Sequence, residues 1–131
     1  MTIRKNSIFV FGDGDNIRHR VESLLFDNKL TELREFSNKL KTTILEIENM
    51  VVKNLNASVI VAGGDDIIFV IDAKDYDMKY FEELMFYFQS ATGCTLSLGI
   101  GLNLEMAYLN LLRAKATGKA KLTDTGLQSP S

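Results

Sequence analysis

Apolar residues recur along this chain at two spacings, and the changes from one spacing to the other mark out the elements. Residues 7–12, SIFVFG, form an almost unbroken β-rich run closed by glycine, which predicts a buried central strand. Ile17, Val21, Leu24 and Leu25 follow at helical spacing as far as about Asn28, with Asp15 and Asn16 as capping side chains ahead of them. A longer helix over about 30–55 carries Leu33, Phe36, Leu40, Ile44, Ile47 and Val51 at steps of three and four. ASVIVA and IIFVID are then two strands joined through Gly63, Gly64, Asp65 and Asp66, a hairpin signal. Helical period returns over Tyr76–Ala91, with Phe81, Leu84, Met85 and Phe88 on one side. CTLSLGIG predicts a fourth strand, and Leu104–Thr117 a last helix that stops at Gly118. The aromatic residues Tyr80, Phe81, Tyr87, Phe86 and Phe88 are read as core packing.

The order β-α-α-β-β-α-β-α contains a βαββαβ core. That pattern predicts an α+β, ferredoxin-like fold with a mainly antiparallel sheet and extra helices. We divide the chain into one folded domain at 1–118 and a polar tail at 119–131, expected to fray apart from one short strand. In this topology the first and second strands run parallel, with the third between them. The carboxyl end of the first strand then lies beside the hairpin that joins the second and third. The last helix ends at the same edge.

Composition narrows the function classes. The chain has 131 residues, 46% hydrophobic and 24% charged, as an ordinary globular domain does. Its single cysteine, Cys94, lies in an apolar setting and is read as a small core residue; alone it can make no internal disulfide. No apolar run approaches the roughly 20 residues that span a bilayer, and the start does not read as a signal peptide, so a cytoplasmic location is expected. A net charge of −2 argues against a large face for duplex DNA. It leaves room for nucleotides, whose binding takes only a few cations and a metal.

Three segments carry chemistry. In FGDGDNI, Asp13 directly follows the buried strand, Gly14 permits close backbone approach, and Asp15, Asn16 and Ile17 open a helix whose free N–H groups suit a triphosphate. Taken alone, Asp13 and Asp15 serve equally well as a turn and an N-cap. The GGDD hairpin, Gly63 to Asp66, is likewise good turn chemistry by itself. The topology changes that reading, because it brings Asp13, Asp65 and Asp66 together. Two like charges about 4 Å apart repel by about 4 kcal/mol at an effective dielectric near 20, so such a group calls for a cation. Mg²⁺ or Mn²⁺, with their preference for oxygen ligands, fit it, and a pair of ions about 4 Å apart suits in-line displacement at phosphorus. The third segment, RAKATGKAK, sets Lys115 and Lys119 four residues apart. If the helical turn persists, both ammonium groups point one way, although lysines also commonly complement a helix dipole.

The strings GDGDNI, GGDDIIFV, SLGIG and AKATGKA follow the order seen in GGDEF and adenylyl-cyclase-type palm domains. Over nearly its whole length the chain resembles the minimal CRISPR polymerase group, relatives of the polymerase-like subunit of type III CRISPR complexes. The resemblance implies that Asp13, the Gly14 carbonyl, Asp65 and Asp66 hold two divalent ions, Mg²⁺ or Mn²⁺. It implies that Gly14, Asp15, Asn16, Ile17, Gly63, Gly64, Lys115 and Lys119 meet nucleotide or phosphate. Such enzymes make cyclic or linear oligonucleotide signals, and the minimal group is associated with antiviral defence. The implied activity is a pyrophosphate-releasing nucleotidyltransferase, with a cyclic dinucleotide as product and a downstream effector that receives it.

The departures bear on the base. GGDD stands where diguanylate cyclases carry GG(D/E)EF, so guanine specificity is not carried over. EFSNKL, with Ser37, loosely resembles a segment near an adenine pocket, which makes ATP the expected substrate. A chain this short has little room to wrap two nucleotides, so a homodimer is expected. His19, between Arg18 and Arg20, is taken as a surface or dimer contact. Two other readings stay open: a hydrolase like the type III GTP cyclohydrolases, and a non-catalytic palm that binds a nucleotide or a partner.

Overall fold

The computed structural model describes residues 6–127. Strand β1 (Ser7–Gly14) leads to helix α1 (Ile17–Phe26) and the long α2 (Leu30–Leu55). β2 (Ser58–Gly63) and β3 (Asp66–Asp72) form the hairpin, and a 3-10 turn at Ala73–Asp75 precedes α3 (Met78–Thr92). β4 (Leu96–Gly101), α4 (Leu104–Ala116) and the two-residue β5 (Leu122–Thr123) complete the chain. The sheet order is β2-β3-β1-β4-β5, with β5 parallel to β4 and every other pair antiparallel. β1 and β2 therefore run parallel with β3 between them, the ferredoxin-like arrangement that the element order predicts.

Alternation along the strands gives the sheet two faces. Ile8 and Val10 of β1, Ile67, Phe69 and Ile71 of β3, and Leu96, Leu98 and Ile100 of β4 point to one side. There they meet Phe36, Leu40, Ile44, Ile47 and Val51 of α2 and Phe81, Leu84 and Phe88 of α3, all of them buried. The other face presents Phe9, Val70 and, partly covered, Phe11, against which Ala107 of α4 packs. Helix α4 lies close to the sheet because β4 turns Gly99 and Gly101 toward it: a Cβ on Gly99 would stand 2.1 Å from the Ala107 carbonyl oxygen and 2.2 Å from the Leu111 nitrogen. Glycine inside a strand marks such an approach of another backbone.

Several local expectations need correction. Neither Asp15 nor Asn16 caps α1 through its side chain; Asn16 is left-handed, with φ 59°. Helix α3 starts at Met78, where the Asp77 side chain accepts from the N–H groups of Lys79 and Tyr80, so Tyr76 lies before it. Phe86 is 72% exposed, since it falls on the side of α3 away from Phe81, Leu84 and Phe88. Tyr80 and Tyr87 are half-buried and bond through their hydroxyls to Met50 and Glu46 of α2. Cys94 is half-buried against the core, and burial pushes its thiol up.

The stretch expected to fray is held in place as far as residue 127. Leu98 N–H donates to the Lys121 carbonyl, the Tyr76 hydroxyl to Asp124, and the Asn110 amide to the Thr125 carbonyl. The rest of the predicted tail, 128–131 with the only proline, lies outside the described residues. Among the described residues no helix is long and apolar enough to cross a membrane.

Candidate functional site

The three segments singled out in the sequence meet at the carboxyl end of β1. Asp13 pairs with Asp66 across the β1–β3 ladder and with Ser97 across the β1–β4 ladder. The hairpin closes through Gly64, left-handed at φ 59°, and Asp65. Its tip is tied down by a hydrogen bond of 2.9 Å from Gly14 N–H to the Asp65 carbonyl. One carboxylate oxygen from each of Asp13, Asp65 and Asp66 then lies within 4.8 Å of the others. All three side chains are only partly buried, so an ion can reach them from solvent.

The acids are not at ease with one another. Burial and the charges of Asp13 and Asp66 raise the Asp65 carboxyl to about 6. Burial and the Asp13 charge also raise Asp66. A group of like charges whose protonation is favoured is also one that a divalent cation would relieve. Its all-oxygen donor set fits Mg²⁺ or Mn²⁺.

Lys115, from the last turn of α4, supplies a cation from within the chain. Its Nζ lies 3.0 Å from Asp13 Oδ2, 3.0 Å from Asp15 Oδ1 and 3.0 Å from the Gly14 carbonyl oxygen. An ammonium has three donors, so these contacts use all of them. Burial opposes the charge on Lys115, but hydrogen bonds to Asp15 and Asp13 outweigh it and hold the group above its ordinary value. Lys115 thus faces the carboxylates, and the Gly14 carbonyl expected to reach a metal is bonded to it instead.

Asp15 takes a different place from the one expected. It is 1% exposed, and its N–H donates to the Thr95 carbonyl, so it offers no donor to a phosphate. Its carboxylate accepts from Thr95 Oγ1, Ser97 Oγ, Lys115 Nζ and Ala120 N–H. Burial alone would raise its pKa; those hydrogen bonds lower it instead, Ala120 first and Lys115 next. Gly14 also has a reason other than the expected one. The space its side chain would fill is taken by Ile17 and Phe88, with Ile17 Cγ1 at 2.9 Å, so the glycine permits packing on the core side.

A cleft of about 440 Å³ opens beside Asp13 and Asp65, bordered by Gly14, Asn16, Ile17, Arg18, His19, Glu22 and Lys119. Lys119 reaches it although the helix has ended at Ala116: Gly118, Lys119 and Ala120 have φ of 128°, 61° and 51°. This left-handed turn points its ammonium at Asn16 Oδ1, 2.5 Å away. Gly63 and Gly64 are exposed at the hairpin, where a Cβ on either would meet nothing within 4 Å. Ser37 is exposed on α2 and borders neither this cleft nor the hollow near Phe36, where the Arg20 guanidinium stacks 5.6 Å from the ring.

Sequence reasoning missed Thr95, Ser97 and Ala120, which bind Asp15, and Glu22 at the cleft. Ser97 alone carried a signal, a hydroxyl within an otherwise apolar strand.

A family model described as the minimal CRISPR polymerase domain, mCpol, matches residues 9–125. Among solved structures, the chain is similar to one from the Csm1-Csm4 cassette in complex with one ATP. That pair has a TM-score of 0.69 and 19% identity over 96% of this chain and 21% of the other. The same cassette in complex with pppApA matches with TM-score 0.70 and 19% identity, over 88% of this chain and 20% of the other. The active GGEEF domain of a diguanylate cyclase from Vibrio cholerae matches with TM-score 0.54 and 11% identity, over 89% and 81%. The chain spans about a fifth of the length of the cassette chains it matches. No curated protein matches the sequence. At these identities the structural likeness speaks for the fold, and the fold is that of a palm domain.

Proposed function

The chain belongs to the minimal CRISPR polymerase family, and on that premise we propose that it is a metal-dependent nucleotidyltransferase that builds a cyclic nucleotide from nucleoside triphosphates. The observation that carries this reading is the convergence of Asp13, Asp65 and Asp66 within 4.8 Å at the end of β1. These three residues would hold Mg²⁺ or Mn²⁺, two ions per site, which supply charge for an α-phosphate and acidify an attacking hydroxyl. The Gly14 carbonyl would join them once Lys115 leaves it.

The remaining parts have roles in the same reaction. Lys119 and the start of α1 at Asn16 and Ile17 border the cleft and receive the phosphates, and Gly63 and Gly64 leave open space beside the hairpin. Lys115 would exchange its bond to Asp13 for a phosphate oxygen of the bound triphosphate. The oxygen of a ribose hydroxyl attacks the α-phosphorus, the α–β phosphoanhydride bond breaks, pyrophosphate departs and the hydroxyl proton passes to water. A second such step on a second nucleotide closes a cyclic dinucleotide.

ATP is the preferred substrate in this proposal. Support comes from the structural neighbours crystallised with ATP and pppApA, since Ser37 is exposed and adds none. A single cleft of about 440 Å³ leaves little room for two nucleotides, which favours a homodimer with one site from each copy. The product acts as a signal to an effector in antiviral defence.

The test is incubation with mixed nucleoside triphosphates and Mg²⁺ or Mn²⁺, followed by chromatography and mass spectrometry. A phosphatase-resistant, phosphodiester-linked adenine nucleotide is expected, and Asp65→Ala/Asp66→Ala abolishes it while the chain stays folded. Full activity in that double variant, or a ring-opened guanine product, overturns the proposal.

A further inference from the structure

We propose that Asp15 is a positioning residue that sets both lysines of the site, and that it does so without touching the nucleotide. The inference rests on the reading of the cleft as a triphosphate site and deepens it. Asp15 is buried to 1% exposure, and no atom of it borders the cleft at Asp13 and Asp65. A carboxylate in contact with a triphosphate would repel it, so any contribution of Asp15 runs through its neighbours.

Those neighbours are the two lysines. Asp15 Oδ1 accepts from Lys115 Nζ at 3.0 Å, and Asp15 Oδ2 accepts from Ala120 N–H at 2.9 Å. Ala120 closes the turn that presents Lys119. Lys119 and Ala120 sit at φ 61° and 51°, a region in which residues with a Cβ are strained and persist only where their surroundings hold them. The backbone N–H groups of this turn are held by two hydrogen bonds: Lys119 N–H to the Ala114 carbonyl at 2.9 Å, and Ala120 N–H to Asp15.

Asp15 is itself fixed from β4 and the residue just before it. Thr95 Oγ1 donates to Oδ2 at 2.8 Å and Ser97 Oγ to Oδ1 at 2.8 Å. One carboxylate therefore joins the end of β1, strand β4, the last turn of α4 and the turn beyond it. Supporting groups of this kind orient the residues that meet the ligand, and their loss commonly lowers affinity or rate by 10–100-fold, on the order of what is seen around metal sites.

The experiment measures binding of α,β-methylene-ATP with Mg²⁺ by calorimetry, alongside melting temperature. The variants are Asp15→Asn, Lys119→Met and the two combined, in the full chain. Asp15→Asn is expected to weaken binding by about 10–100-fold, and by clearly less once Lys119 is already methionine, the remainder being the share that runs through Lys115, because coupled residues are not additive. Ala120→Gly, which suits the left-handed turn without an anchor, recovers part of the loss in the Asp15→Asn background.

Unchanged affinity in Asp15→Asn, or losses that multiply in the combined variant, overturns the proposal. Should Asp15→Asn not fold, Ser97→Ala takes one support from the same carboxylate and leaves both lysine-side bonds in place. It must then weaken the ligand by roughly threefold or more at unchanged melting temperature, a modest share of the full effect; unchanged affinity there also overturns the proposal. A wild-type chain that binds no triphosphate sinks the reading of the cleft and this inference with it. Wild-type binding that Asp15→Asn leaves intact sinks the inference alone.

Discussion

Lys115 Nζ lies 3.0 Å from Oδ2 of Asp13, so the carboxylate at the centre of the acidic group already has a cation beside it. The two side chains are 24% and 29% exposed, enough for solvent to reach the pair and for another cation to compete. The same ammonium bonds the Gly14 carbonyl, a second oxygen proposed for the metal. A divalent ion at the proposed site would therefore compete with Lys115 for the same oxygens, and the proposed triphosphate would give the displaced ammonium somewhere to go.

Removing that competitor separates metal binding from nucleotide handling. In Lys115→Met, Asp13 and the Gly14 carbonyl lose their internal cation, so Mn²⁺ binding without nucleotide, followed by electron paramagnetic resonance, becomes tighter than in the wild type. Turnover of ATP falls by about 100-fold or more, as expected when a donor to a charged phosphate is lost. Weaker Mn²⁺ binding in this variant would contradict the competition.

The acids predict a pH dependence for the metal-free chain. Asp65 is raised from 3.8 to about 6, so between those values the folded state holds the extra proton and the unfolded state does not. Stability therefore increases as pH falls through about 6. Asp15 and Lys115 do not cloud this window. A lowered carboxylate keeps its contribution until pH drops below its ordinary range, and a raised lysine keeps its own until pH rises above its ordinary range. In EDTA, the melting temperature of the wild type is expected to climb from pH 7.5 to pH 5 relative to Asp65→Asn. Added Mg²⁺ stabilises at pH 7.5 and loses that effect toward pH 5, where protons compete for Asp65. Parallel curves for the two proteins would refute the assignment.

The sheet and its helices are legible in the sequence because each strand and helix shows its period plainly. Ile8, Val10, Ile67 and Phe69 alternate, and Phe36, Leu40, Ile44, Ile47 and Val51 step around one helical face. Topology then places Asp13 beside Asp65 and Asp66. The lysines are harder. Spacing suggests that Lys115 and Lys119 share a helical turn, but the helix ends between them and a left-handed turn brings Lys119 to the cleft by another route. Asp15 resembles a helix cap in sequence. Its burial depends on Thr95 and Ser97, eighty positions and more away, and no local pattern encodes such a contact. Phe86 misleads because its neighbours are aromatic, although its position on α3 turns it outward.

How close α4 comes to the sheet decides where Lys115 ends up, and Gly99 decides how close α4 can come. A methyl there would meet helix backbone at 2.1 and 2.2 Å, and backbone cannot rotate away as a flexible side chain can. Gly99→Ala is expected to lower stability by about 3 kcal/mol in urea denaturation, the upper part of the usual cost of overpacking. It should also move Lys115 off Asp13 and reduce turnover in the molecules that remain folded. A loss below about 1 kcal/mol, at the floor of that range, would mean that α4 shifts freely.

Strand β5 is only two residues long, yet it covers the side of β4, a strand buried along its whole length. Leu98 N–H donates to the Lys121 carbonyl at 2.9 Å, and Tyr76 donates to Asp124 at 2.8 Å to hold the segment down. A chain stopped after Lys119 loses both bonds, together with those from Ala120 N–H to Asp15 and from the Asn110 amide to the Thr125 carbonyl, and leaves β4 as an open edge, which pairs readily with other chains. Each lost hydrogen bond costs about 1 kcal/mol, so the shortened chain should melt well below the full one and associate on concentration. Tyr76→Phe isolates one of those bonds and should lower stability by about 1 kcal/mol. Calorimetry and light scattering on the two proteins read both effects, and a shortened chain that melts with the full one and stays dispersed would show that β4 is closed by something other than β5.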